Sequence, residues 1–163
     1  MKKIILTLCV AAGLVSCTSE ADQKAKLGAA NMAFYTRVFD VAVNEGRTDI
    51  FDSAYVDDAV LHTVPEVKGK VNAKAYYSNY VTGFSERQFI VKEMFADGDK
   101  LVKHWQFKGK HTGTFFGIPA TGKTVDVIGC TIAKMKDGKI AEEQDFMDNM
   151  VLMQQLGLLP AAK

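Results

Sequence analysis

The hydrophobic positions of this chain change period part of the way along. Within residues 21–44, Leu27, Phe34, Tyr35, Val38 and Ala42 recur at helical spacing, which predicts a long amphipathic helix with Gly46 as its stop. Thr48 and Asp49 are placed to cap a second, short helix through Tyr55, and residues 59–63 read as a short strand ahead of Pro65. Val71, Ala75, Tyr76, Tyr80 and Phe84 return to helical spacing and predict a helix over residues 72–84. After Ser85 the period shortens, and residues 88–95, 100–109, 111–116, 123–136 and 139–147 read as strands. Asp97-Gly98-Asp99 and Lys136-Asp137-Gly138-Lys139 are hairpin turns, the second with Asp-Gly as a type I′ turn requires. Pro119 to Gly122 marks a longer loop, and residues 149–158 close the chain as a helix. Helices first and an antiparallel meander afterwards predict an α+β fold with the helices on one face of a bent sheet.

Composition narrows the partners. The 163 residues carry 20 Lys and Arg against 19 Asp and Glu, a net charge of +1, and 48% are hydrophobic. That supports one domain around one core and gives no basic excess for nucleic acid.

The first residues read as a leader. Lys2 and Lys3 precede an apolar run over residues 4–15, too short to span a bilayer, which ends in Leu14-Val15-Ser16-Cys17. This ending resembles the lipobox of bacterial lipoprotein signal peptides; the competing reading is an ordinary secretory signal that ends in cysteine. The expected organisation is a leader over 1–16, a lipidated tether over 17–23 and a domain over 24–163. The mature chain, exported and held to the cell envelope by lipid on Cys17, has a net charge of −1 once Lys2 and Lys3 are lost. Cys9 leaves with the leader and Cys17 is acylated, so Cys130 has no disulfide partner and is expected as a buried small hydrophobe in a β-rich stretch.

The candidate chemistry gathers on the last strand. Alternation puts Glu143, Asp145 and Met147 on one face and Glu142, Gln144, Phe146 and Asp148 on the other, and leaves open which face lines a pocket. Asp148 is placed to cap the closing helix. His62, His104 and His111 have no metal-ligand spacing with one another or with the carboxylates, so neither a metal nor a cofactor is expected. Tyr35, Tyr76, Tyr77 and Tyr80 sit at helical spacings that suit a core, or phenols aimed into a cavity. Phe115 and Phe116 form either a flap or plain packing, and Met147, Met150 and Met153 suit an adaptable apolar closure.

Several short motifs, in order, carry a family likeness: Asn44-Glu45-Gly46, Gly98-Asp99, Gly109-Lys110-His111-Thr112-Gly113, the run from Gly117 to Lys123, the run from Gly138 to Glu143, and Gln154-Gln155-Leu156-Gly157. Together they resemble the SnoaL-like polyketide cyclases of the nuclear transport factor 2-like superfamily, over residues 27–160. The resemblance implies a curved antiparallel sheet wrapped by helices into a cone around an apolar pocket, a fold that hosts cyclases, isomerases, dehydratases and epoxide hydrolases. It also implies roles. Asp145 falls where the limonene epoxide hydrolases keep an acid–base aspartate, and His111 falls near their arginine. Gly113 stands where those hydrolases have a second aspartate, which argues against epoxide hydrolysis here. His62 matches a histidine at the end of the first family strand, or else is a structural group; His111 likewise either assists Asp145 or only anchors the neighbouring backbone. The resulting expectation is catalysis by Asp145 with His111, and a small, mostly apolar carbonyl compound contacted by His62, Tyr35, Glu143, Met147 and Phe115. The reaction class is cyclisation or isomerisation through an enol, set against a non-catalytic binding or assembly domain. A homodimer through the outer sheet face fits either.

Overall fold

Residues 19–160 are described by the computed structural model. Ser19 caps the first helix, α1 (Glu20–Phe39), through a reciprocal pairing with Asp22, so residues 20–23 are helical rather than part of a tether. The last turn widens into a π-helical segment, Asp40–Asn44, and the chain turns at Gly46 with φ +76°. A 3₁₀ turn (Thr48–Ile50) runs into the short α2 (Phe51–Ala54) without a side-chain cap from Thr48 or Asp49. Then follow β1 (Tyr55–Leu61), β2 (Val67–Lys68), α3 (Lys70–Gly83), β3 (Phe84–Asp97), β4 (Lys100–His111), β5 (Thr124–Lys136), β6 (Lys139–Met147) and α4 (Asn149–Gln155).

The six strands form one sheet in the order β2-β1-β6-β5-β4-β3. Neighbours are antiparallel except β1 and β6, which run parallel through Leu61 opposite Glu143. That pairing extends β1 back to Tyr55, four residues earlier than alternation indicates, because the strand is stabilised by a partner some 80 residues away. Register shifts in β3–β4 and near Lys134 bend the long strands, as bulges do. The inner face of β4 presents Leu101, Lys103, Trp105 and Phe107, and that of β5 presents Val125, Val127, Gly129, Thr131 and Ala133. α1, α2 and α3 cover this face, and Tyr35, Phe39, Phe51, Tyr55 and Tyr77 meet there as an aromatic core.

Residues 111–116 are not a strand. His111 ends β4, and residues 112–123 form a loop with a single Phe115–Ile118 bridge. The Thr112 and Gly113 amides both donate to the Gly83 carbonyl at 3.0 Å, which ties the loop to the end of α3 in place of a ladder. Gly113 makes this approach because a Cβ there would lie 2.1 Å from the Thr82 carbonyl oxygen. Cys130 is half-buried on the outward face of β5, not in the core, since the inward positions fall on its neighbours Gly129 and Thr131. Among the described residues no helix is long and apolar enough to cross a membrane. Cys17 and the leader lie outside the described residues.

Candidate active site

Two spaces meet at Asp145. A narrow inner cavity of about 30 Å³ lies between the sheet and α1 and α3, with Phe39, Tyr77, Lys103, Trp105 and Thr131 among its walls. A broad outer cleft of about 500 Å³ opens beside it, between Tyr76 on α3, the Phe115–Phe116 loop, Met147 and the α4 residues Leu152 and Met153. Asp145 and Tyr80 line both. The sizes assign different roles: the cleft has the volume of a small-molecule site, whereas the inner cavity takes only the end of a ligand or a water or two.

Asp145 is held on both oxygens. Tyr77 Oη donates to Oδ2 at 3.0 Å, and the Thr131 hydroxyl donates to Oδ1 from the directly opposed position on β5. Thr131 Oγ1 in turn accepts from Trp105 Nε1 at 2.9 Å; because an indole N–H only donates, the threonine proton points at the carboxylate. Trp105 reaches this position over Gly129, its cross-strand partner, where a Cβ would lie 2.3 Å from the indole ring. The chain Trp105–Thr131–Asp145 therefore rests on β4, β5 and β6 at adjacent positions.

Deeper in, Glu143 is 1% exposed and accepts hydrogen bonds from the Tyr35 and Tyr55 hydroxyls. Burial, reinforced by the nearby charge of Asp145 and opposed by Lys103 and the two phenols, lifts its carboxyl to about 7. Burial also pushes the Tyr35, Tyr55, Tyr77 and Tyr80 phenols well up, so all four remain protonated donors. Lys103, 2% exposed, holds its ammonium over the faces of Tyr35, Phe39 and Phe89 at 4.5, 4.0 and 4.7 Å from the ring centres. Burial lowers it to about 8 against the opposing pull of Asp145 and Glu143.

The structure gathers only some of the residues singled out from sequence. Asp145, Met147, Phe115 and His62 border the outer cleft. His62 stands at its rim between Glu66 and Glu142, 3.2 and 3.3 Å away, which raise its imidazole. Tyr35 and Glu143 bond to each other behind the cavity wall and line neither space. His111 is not brought to Asp145. Its ring packs on Phe84 and Phe115, its Nδ1 lies 3.1 Å from Thr121 Oγ1 and accepts from the Thr121 N–H, and burial lowers it. It sits at the far end of β4, four residues beyond the last strand residue that faces the cavity, Phe107. No metal-holding group of His, Cys, Asp or Glu occurs among the described residues. Lys103, Trp105 and Thr131 went unnoticed in the sequence, although Lys103 keeps phase with Leu101, Trp105 and Phe107 and so stands out as a charge on an apolar strand face.

A bent sheet closed by helices around a carboxylate held by phenol and hydroxyl groups is an arrangement that serves many activities rather than one reaction. The chain belongs to the SnoaL-like polyketide cyclase family, whose model matches residues 32–156. It is 26% identical over 121 residues to the aklanonic acid methyl ester cyclase DnrD of Streptomyces peucetius, covering 71% of this chain and 83% of that protein. Among solved structures it is similar to a protein described as a SnoaL-like polyketide cyclase from Jannaschia sp. CCS1, with a TM-score of 0.73, 25% identity and coverage of 82% and 96% of the two chains. TsrD of Streptomyces laurentii matches with a TM-score of 0.73 and 26% identity, over 80% and 97% of the two chains.

Proposed function

We propose that this protein is an acid–base enzyme that closes a ring in, or isomerises, a largely apolar compound bearing two carbonyl groups. One observation carries the reading: Asp145, positioned through both oxygens by Tyr77 and Thr131, stands where the outer cleft meets the inner cavity. The body of the substrate occupies the cleft against Tyr76, Phe116 and Met153, and its reacting end reaches Asp145. The carboxylate takes a proton from a carbon next to a carbonyl, giving an enolate. That carbon attacks a second carbonyl of the same molecule, a carbon–carbon bond forms, and Asp145 returns its proton to the new alkoxide. The likeness to a methyl ester cyclase supports this reaction class, and a keto ester, whose activated carbon lies between two carbonyls, is the first substrate to try.

The test is proton exchange in D₂O, followed by NMR, at the carbon between the ketone and ester of an aryl β-keto ester. Exchange above the buffer rate that is lost in Asp145→Asn, with the variant folded, supports the reading. Exchange that survives in Asp145→Asn removes Asp145 from the mechanism. A wild-type protein that binds the probe without exchanging it belongs instead to the non-catalytic binders.

We further propose that the domain is exported and lipid-anchored at Cys17. The leader pattern supports this, and α1 begins only three residues after Cys17, at Glu20. The outer sheet face carries exposed Val102, Ile128, Ile132 and Phe146, with Val102 directly opposite Ile132, and this apolar row supports a homodimer in which two such faces pack together.

A further inference from the structure

Lys103 lines the same inner cavity as Asp145, from the middle of β4, and is charged where β4 is otherwise apolar on that face. Proton abstraction next to a carbonyl creates a negative oxygen, and an enolate in an apolar cavity needs a cation or a set of donors already in place. The mechanism above leaves that oxygen without a partner, and it leaves the ammonium without a task. We infer that Lys103 receives this oxygen: the inner cavity is an oxyanion site, and its ligand class is enolates and the phenolates that mimic them.

Four features of the surroundings fit this assignment. The ammonium is caged by the faces of Tyr35, Phe39 and Phe89, which stabilise a cation without supplying a negative charge to neutralise it, so it retains its pull on an incoming anion. It forms no ion pair within 4.0 Å among the described residues, although the carboxylates of Asp145 and Glu143 are near enough to raise it. The Glu143 carboxyl is instead engaged by the Tyr35 and Tyr55 hydroxyls and Asp145 by Tyr77 and Thr131, which leaves the lysine to the ligand. Finally, the inner cavity, at about 30 Å³, is far smaller than the outer cleft of about 500 Å³ that adjoins it at Asp145 and Tyr80, so the charged end of a ligand enters the cavity while its body lies in the cleft. Base and cation thus face one reacting end from β6 and β4, on either side of β5.

The assignment rests on the proposed acid–base reaction for its chemistry, but it is tested by equilibrium binding. Nitrophenols absorb at different wavelengths as phenol and phenolate. Titrated into the wild-type protein below the free probe's own ionisation point, a nitrophenol is expected to bind as the coloured phenolate. In Lys103→Met, which fills the same aromatic cage without charge, phenolate affinity is expected to drop at least tenfold and the bound probe to stay protonated. The rate of α-proton exchange on the keto ester is expected to fall about 10²–10³-fold in the same variant, the usual loss for one oxyanion donor. A wild-type protein that binds the probe as the neutral phenol overturns the assignment without any variant, so a Lys103→Met chain that fails to fold does not leave it untested. Equal phenolate binding in wild type and a folded Lys103→Met also overturns it. The two readings fail separately. Phenolate binding that depends on Lys103 in a protein without exchange upholds the oxyanion site and removes the reaction, whereas exchange that needs Asp145 but not Lys103 does the reverse.

Discussion

Tyr77 on α3 and Asp145 on β6 are joined by a 3.0 Å hydrogen bond that ties the helical layer to the sheet at the site itself. The bond gives the carboxylate one fixed donor from each layer, since Thr131 approaches from β5 on the other side. Packing and positioning therefore depend on the same pair.

Tyr77→Phe keeps the ring and removes the donor. Loss of a hydrogen bond to a carboxylate is expected to cost about 1–3 kcal/mol in urea unfolding. With Asp145 free to turn away, α-proton exchange is expected to fall between about ten- and a hundredfold. Unchanged exchange would show that Thr131 alone positions the base.

Glu143 predicts a pH dependence of stability. Its carboxyl ionises near 7 in the fold and near 4.5 in the unfolded chain, because burial disfavours the charge. Between those values the folded chain holds the extra proton, so this group's contribution to stability is complete below about pH 4.5 and is lost as pH rises to about 7. Glu143→Gln is expected to flatten that slope relative to wild type in urea unfolding at pH 4.5, 5.5, 6.5 and 7.5. The raised imidazole of His62 adds a slope of the same sign to both proteins, so the difference between them isolates Glu143.

Trp105 is the only tryptophan in the chain and borders the inner cavity, which makes it a reporter of the site. Gly129→Ala places a methyl group against the indole, where a Cβ at 2.3 Å forces the ring to move. The expected result is a shifted fluorescence maximum, altered near-UV circular dichroism and a loss of about 1–3 kcal/mol, typical of overpacking. An unchanged spectrum would mean that the backbone of β5 yields instead.

Cys17→Ser tests the anchor. The unaltered full-length chain expressed in a bacterium is expected in the detergent phase of a Triton X-114 partition, with a mass increased by lipid on the mature N-terminus. The variant is expected in the aqueous phase. Wild-type protein that stays aqueous and unmodified removes the lipoprotein proposal.

Replacing Ile132 by Lys on the outer sheet face places a charge directly opposite Val102 without touching the core. If two such faces form the dimer, light scattering is expected to change from the dimer mass to the monomer mass, with α-proton exchange retained. A wild-type protein that is already monomeric at high micromolar concentration ends that proposal.

Much of the architecture follows from local pattern. The change from helical to alternating period marks where α3 gives way to the meander, and the Asp137-Gly138 turn and the Asp148 cap are dictated by residues within a few positions of each other. The grouping of Glu143, Asp145 and Met147 on one face is equally local, since successive strand residues point to opposite sides. Alternation does not say which side the helices cover. That was settled by the packing of α1 and α3, which placed Glu143 under Tyr35 from more than a hundred residues away. The parallel pairing of β1 with β6, the turning of residues 112–123 onto Gly83, and the separation of His111 from Asp145 likewise depend on contacts distant in sequence. Lys103 is the clearest case. Its place on an apolar strand face is readable from the sequence, but its meaning depends on three rings from α1 and β3 and on a carboxylate two strands away. Residue type and period set each side chain's direction, whereas the low-dielectric surroundings that make a lysine or a carboxylate reactive exist only once the layers have closed.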